Sequence, residues 1–576
     1  MTLGWDQGDE KCAANRYSHT DFLKKITSSH YHNTKTIMGN RSTPQQIMSL
    51  IPVNVFAIVW ILSVCIIGYH VAHSWDFPWL SNPDQDLVFM RDGLRLFNLS
   101  SPGYSDHPGL IQMLAGAAAQ ILLRVKEVFQ DPGIGLPTKT EGLRDADWQN
   151  IFRLHKIING IGMATLIASC SHLISKLFGR LIGFAWGLMA SLSMGTVVLT
   201  YQIRNEFYSA YFFYAAALLL WLSMKETSIF ENGRNGKSPS IYTLLAASGL
   251  LYLSLLAKIQ ILPLIMALNI GLAVAVIRLN KKSIKQWLVS FFKAIGFCLA
   301  IAMVIQKQAP SVHSITTTVS VLLLILMPLI FSCQLASQKH ELTSSEAAKS
   351  WIGFGITTMA YSWIVERFQW QSISWDPYSM SRYKVDTSGT CTINCYSMRV
   401  ADAISNLFER TFDGLIIAKV ACVVLPVMLL IGCTKLNNQR TQISAQSEQQ
   451  THIIIVSYLA LIAITMSVIA SMRWPADHYL PYQQPILFLS ILIAAKSLWP
   501  HMFWKSLAAY ALISLILINF RYPPLAEKTF VKYQPAELEK HISSIGLISD
   551  EQPICWEQHA GAEWNRTILR RACKWR

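Results

Sequence analysis

Charged side chains are scarce in this chain. Asp, Glu, Lys and Arg supply 14% of its 576 residues while hydrophobic residues supply 52%, and the mean hydropathy is +0.32. With many apolar runs near the bilayer-crossing length of about 20 residues, that scarcity excludes a string of soluble domains and indicates a polytopic membrane protein. Acids are the rarer half of the charge, 34 against 49 bases, for a formal net charge of +15. The surplus does not point to nucleic acid. The basic residues fall in short clusters between apolar runs, where the positive-inside rule places them.

Other absences narrow the reading further. No His-x-x-x-His or Cys-x-x-Cys spacing occurs, so no compact metal motif is present. The eleven cysteines do not form a disulfide framework. Cys65, Cys170, Cys298, Cys333 and Cys422 lie within apolar runs, where a free thiol behaves as a small hydrophobe. Cys391 with Cys395, and Cys555 with Cys573, are the pairs on the outer side, and a disulfide is expected in the second pair if its segment is external. Residues 1–48 are polar and lack the apolar core of a cleavable signal, so a cytoplasmic leader is expected. No inverted repeat relates the two halves.

What is present is a series of apolar windows: 51 to 72, 155 to 175, 180 to 200, 207 to 224, 241 to 257, 260 to 277, 287 to 305, 316 to 335, 351 to 365, 414 to 433, 452 to 471, 484 to 498 and 503 to 520. They predict an all-α membrane domain over 49–520 with about 13 transmembrane helices. The basic loops Lys176 to Arg180, Lys225 to Lys237, Arg278 to Lys285, Lys435 to Arg440 and Lys496 to Lys505 then share the cytoplasmic side with the N-terminus. This alternation holds only if 108 to 123 lies in or beside the interface. The first loop, 73–150, the loop 366–412 and a small C-terminal segment, 521–576, are expected outside.

The outer side collects the chemistry-bearing residues. Between Trp75 and Pro108 this acid-poor chain places five aspartates, among them Asp84 and Asp86. Further along stand His107, the junction Tyr201 to Glu206 with Arg204, Lys258 at a break in a long apolar stretch, and Arg473 followed by His478 and Tyr479. Bland readings exist for each: a solvated capping loop, a structural Arg204–Glu206 ion pair, a snorkelling Lys258, an interfacial His478. Carboxylates beside several cations at one leaflet equally suit a site that binds a lipid phosphate and deprotonates a hydroxyl. Asn82 is placed to cap a helix with Pro83 at its first position, and Leu87, Met90, Leu94 and Phe97 recur at helical spacing. An interfacial helix in the first outer loop is therefore expected, carrying Asp84 and Asp86 on its first turn.

These residues resemble the GT-C superfamily of integral-membrane glycosyltransferases, in the style of protein O-mannosyltransferases, lipid A aminoarabinose transferases and RgtA/B/C/D-like enzymes. The likeness rests on Pro83-Asp84 followed by Asp86 and the amphipathic helix, then Tyr104 to Pro108 and Phe152-Arg153-Leu154-His155. It continues through Lys176 to Arg180, Tyr201 to Glu206 and Leu256-Ala257-Lys258, with a fainter echo at Arg473 and His478 to Pro481. It spans roughly 51 to 275 and 473 to 485.

The resemblance implies the GT-C fold and transfer of a sugar from a polyprenyl-phosphate donor to a lipid, glycan or protein acceptor, with inversion. The site would face the periplasm or exterior of a bacterial cytoplasmic (inner) membrane. Asp84 matches the catalytic base and Asp86 stands as its helper, while Arg204, Lys258 and Arg473 are candidates for the donor phosphate. His107, Glu206, His478 and Tyr479 are further substrate-site candidates. Gln85 separates the two acids that the family keeps adjacent, and His107 replaces the family's lysine before Pro108. No cofactor is implied with certainty. Asp84, Asp86, Glu206, His107 and His478 have the right chemistry for a divalent metal, and the sequence leaves that open. The competing class is a multi-span transporter or flippase of a lipid-linked or anionic substrate, since intramembrane charges and broken helices also mark substrate pathways.

Overall fold

The computed structural model describes residues 54–75, 109–130, 145–226, 241–258, 477–498 and 503–520, with single positions between 89 and 96 and between 261 and 303. Among the described residues every regular element is helical and no strand occurs. In chain order these are α1 (Val55–His73), α2 (Leu110–Gln130), α3 (Asp145–Phe178), α4 (Arg180–Ser191), α5 (Met194–Tyr201), α6 (Glu206–Glu226) and α7 (Ile241–Ala257). A 3-10 helix, Asp477–Tyr482, then precedes α8 (Gln484–Leu498) and α9 (Phe503–Phe520).

Among the described residues two helices are long and apolar enough to cross a bilayer, Val55–His73 and the Gln149–Phe178 part of α3; α4 and α5 make a third span if their 43° bend is one crossing. Leu110–Leu123, Tyr242–Ala257, Gln484–Ile493 and Phe503–Ile513 are shorter apolar stretches. Exposed side chains on α1 and α9, such as Ile61, Leu512 and Ile516, suit contact with lipid tails. Of the apolar windows at 260 to 277 and 287 to 305 only single positions are described, each helical. The windows from 316 to 471, the leader, the loop 366–412, the segment 521–576 and both outer cysteine pairs lie outside the described residues. Cys65 and Cys170 are free thiols.

The sequence explains where the helices break. α3 runs into α4 through Gly179, whose φ of 97° is open to glycine at little strain, and its amide caps the preceding turn by donating to the Ser175 carbonyl at 3.0 Å. The window 180 to 200 is not one straight helix. Ser193 caps α5 by accepting from the Thr196 amide at 3.2 Å, while the Ser193 and Thr196 hydroxyls both donate to the Ala190 carbonyl that ends α4.

Close packing then holds α1, α3 and α4 together. A Cβ on Gly183 would lie 2.6 Å from the Ser171 carbonyl oxygen, and one on Gly187 would lie 2.6 Å from a methyl of Val59 on α1. Ser63 of α1 bonds Ser191 of α4 at 2.7 Å. On the far side of α4, the Trp186 indole donates to the Pro485 carbonyl at 2.7 Å and Gln484 accepts from the Gly195 amide at 3.0 Å. Those two bonds dock the start of α8 and the preceding 3-10 helix onto α4 and α5.

The bundle therefore has two unlike ends. At one end lie Lys176, Arg180 and Lys496, the last with its Nζ 4.0 Å from where a Cβ on Gly179 would sit. The other gathers the C-terminus of α1, the N-terminus of α2, the first half of α3, the α5–α6 junction and the end of α7.

Candidate functional site

At that second end three helix termini bring opposite charges together. Ser209 near the start of α6 donates to the carbonyls of Ser254 and Lys258 at 2.9 and 3.1 Å, and Ser254 on α7 donates back to the Ser209 carbonyl at 2.6 Å. These bonds fix the start of α6 against the end of α7. Glu206 then sits in the first turn of α6 and Lys258 just past the last turn of α7, and their charges match the two helix dipoles. The Lys258 ammonium donates to Glu206 Oε1 at 2.7 Å, and the Arg204 guanidinium stands 3.9 Å from the same oxygen. Glu206 and Lys258 are essentially fully buried and Arg204 is 8% exposed. Lys258 therefore does not snorkel. Its positive end is held inside the bundle by a carboxylate, the arrangement that buried charge requires.

Arg204 is positioned by the extended turn between α5 and α6. Its Nε donates to Gln202 Oε1 at 2.7 Å, and its carbonyl accepts from Gln112 Nε2 on α2 at 2.7 Å. Gln112 also donates to Asn159 Oδ1 at 2.8 Å and contacts His155 Nε2 through Oε1 at 2.9 Å, both on α3. Tyr208 on α6 donates to the Asn159 carbonyl at 2.9 Å. A buried polar network thus runs from α3 through α2 to the Arg204 backbone. Next to it Asn205, wholly buried, has neither side-chain oxygen nor nitrogen hydrogen-bonded.

The first loop reaches this network through helical positions on either side of Gly93. Phe89, Met90 and Leu96 are buried. A Cβ on Gly93 would meet the α2 backbone at the Met113 oxygen, 2.9 Å away, and the Met90 carbonyl accepts from Gln120 at 3.3 Å. A Cβ on Gly109 would strike the Phe89 ring and lie 2.8 Å from Asn205 Nδ2. The described face of this segment thus packs on α2. Of the expected apolar stripe, Met90 is buried, and Leu87, Leu94 and Phe97 lie outside the described residues.

Beside this network, α1 ends on a cluster of its own. His70 Nδ1 is 3.1 Å from the Tyr201 hydroxyl, Lys156 donates to Ser74 at 3.2 Å, and Arg153 donates to the Trp75 carbonyl at 3.1 Å with its guanidinium over the Trp75 ring. Arg153 and His155, neighbours in sequence, thereby serve different partners.

Of the sequence candidates, Arg204, Glu206 and Lys258 are brought together. His478 and Tyr479 fall on the 3-10 helix, whose Tyr482 carbonyl accepts from Tyr214 of α6. Asp84, Asp86, His107 and Arg473 lie outside the described residues. Among the described residues no three His, Cys, Asp or Glu side chains converge as a metal site would need. Gln112, Asn159 and Asn205 were not singled out from sequence. A signal existed for the first: Gln112, Gly116 and Gln120 recur every four residues, a polar stripe on an otherwise apolar helix.

No family model matches this chain, and no curated protein or solved structure matches it.

Proposed function

We propose that this chain is a GT-C type membrane glycosyltransferase of about 13 spans that moves a sugar from a polyprenyl-phosphate donor to an acceptor hydroxyl on the outer face, with inversion. The observation that carries the reading is the buried Arg204–Glu206–Lys258 triad at one end of the bundle. Two cations around one carboxylate, at the N-terminus of α6, form a preorganised seat for an anionic leaving group. A departing lipid phosphate has that chemistry. Arg473 is assigned to the same phosphate, and His107, His478 and Tyr479 to the substrate cleft around it.

Asp84 is the general base in this reading and Asp86 its helper. They precede Phe89 by five and three residues, a tether of at most about 18 and 11 Å. A Cβ on Gly109 would meet both the Phe89 ring and Asn205 Nδ2, so Phe89 and Asn205, the residue before Glu206, share one neighbourhood, and a tether of that length supports assigning both acids to the same site. Lys176, Arg180 and Lys496 at the opposite end support an orientation with the triad facing outward, at the periplasmic side of a bacterial inner membrane.

One observation favours the second reading, a transporter or flippase of a lipid-linked anion: the 43° break between α4 and α5 beside intramembrane charge. Incubating the purified protein with a radiolabelled polyprenyl-phosphate sugar and a membrane glycolipid extract separates the two. Release of free polyprenyl phosphate that depends on the extract supports the enzyme; movement of intact donor across vesicles without release supports the transporter.

A further inference from the structure

Gln112 touches α3 and the Arg204 backbone through the same side chain, and hydrogen-bond logic fixes how it does so. The Arg204 carbonyl can only accept, so the Gln112 atom 2.7 Å from it is the amide nitrogen. That nitrogen spends its second hydrogen on Asn159 Oδ1 at 2.8 Å, which leaves Gln112 Oε1 as an acceptor facing His155 Nε2 at 2.9 Å. His155 must therefore carry its proton on Nε2. Its Nδ1 is buried without a hydrogen-bond partner among the described residues and lies 3.4 Å from where a Cβ on Gly116 would sit. One backbone carbonyl thus dictates the amide orientations of Gln112 and Asn159 and the tautomer of His155.

We infer that His155 and Gln112 are positioning residues for Arg204. Through them α3 and α2 hold the 202–205 turn, so that the Arg204 guanidinium presents its charge to the donor phosphate. The inference rests on the proposed function for the identity of that ligand, but the clasp itself acts on the protein backbone. His155→Gln keeps an N–H donor where Nε2 stands, because a glutamine amide nitrogen reaches about as far from Cβ as Nε2 does. His155→Leu keeps bulk and removes the donor, leaving a buried Gln112 oxygen unmatched.

The test has two arms. Hydrogen–deuterium exchange is read on the peptide covering 202–206, and affinity is measured for farnesyl phosphate in detergent, a short polyprenyl phosphate without sugar. His155→Leu should speed exchange in that peptide and weaken farnesyl phosphate about tenfold, with His155→Gln within about threefold of wild type on both readouts. In an Arg204→Met background the same His155→Leu change should no longer affect affinity, because its action runs through the guanidinium. Exchange unchanged in His155→Leu, or equal affinity losses with and without Arg204, would overturn the positioning role. Should His155→Leu not fold, His155→Phe, which keeps an aromatic ring and removes the Nε2 donor, carries the same comparison. Faster exchange at 202–206 with no farnesyl phosphate binding by wild type would leave the clasp standing as backbone chemistry and overturn the donor assignment.

Discussion

Two buried regions of this bundle are built on opposite plans. Where α1, α3 and α4 meet, the contact is made of absent side chains: Gly183 and Gly187 let backbone and Val59 approach, and the polar groups present, Ser63, Ser171 and Ser191, are small. At the triad end, long charged and amide side chains fill the space, and Lys258, Glu206 and Gln112 are held by specific hydrogen bonds and ion pairs while the Asn205 amide is not. The first plan is what tight helix association in a membrane asks for. The second spends stability on a fixed arrangement of charge, which a chain keeps where charge does something. Damage to the first should therefore unfold the protein, and damage to the second should change what it binds.

The largest effect is expected from Lys258→Met, which leaves Glu206 buried beside a missing ammonium; breaking such a pair destabilises by about 3 to 5 kcal/mol. Replacing both, as Lys258→Met with Glu206→Leu, should recover most of the thermal midpoint while leaving farnesyl phosphate binding lost. Recovery of binding together with stability would show the pair to be purely structural.

Gly183→Ala comes next. Its new methyl would sit 2.6 Å from a carbonyl oxygen and 2.9 Å from a Cα, neither of which can rotate away, so about 1 to 3 kcal/mol of overpacking is expected. The fraction of protein running as a single species in detergent should fall, and the folded remainder should bind farnesyl phosphate with unchanged affinity. A selective loss of affinity would erase the distinction between the two regions.

Asn205→Leu should have the smallest effect on stability. It removes an amide that has no hydrogen-bond partner among the described residues, so the thermal midpoint should hold or rise. A fall of more than about 2 kcal/mol, the middle of the range for losing a buried hydrogen bond with its partner left behind, would mean that the amide is satisfied in solution.

The helices were legible in the sequence because apolar runs announce themselves: 51 to 72, 207 to 224, 241 to 257, 484 to 498 and 503 to 520 match α1, α6, α7, α8 and α9 to within a few residues. The bend at Ser193 was not, since a serine cap inside an apolar run barely alters the hydropathy that the window reads. At the site, the charges Arg204, Glu206 and Lys258 stood out against an oily background. Gln112 and Asn159 did not, because neutral amides are common and their role depends on which helices meet. Only the fold shows that Gln112 on α2 donates both to Asn159 on α3 and to the Arg204 carbonyl.

The central claim is tested most directly at Asp84. Purified wild type and Asp84→Asn are compared for release of polyprenyl phosphate from a radiolabelled polyprenyl-phosphate sugar in the presence of a membrane glycolipid extract, with farnesyl phosphate binding as the control for folding. General-base catalysis is typically worth about 100-fold to 10,000-fold. The asparagine protein should bind like wild type and release at least about 100-fold less, with Asp86→Asn losing less than that. Retention of more than about a tenth of wild-type release by Asp84→Asn, or no release by wild type itself, would contradict the account.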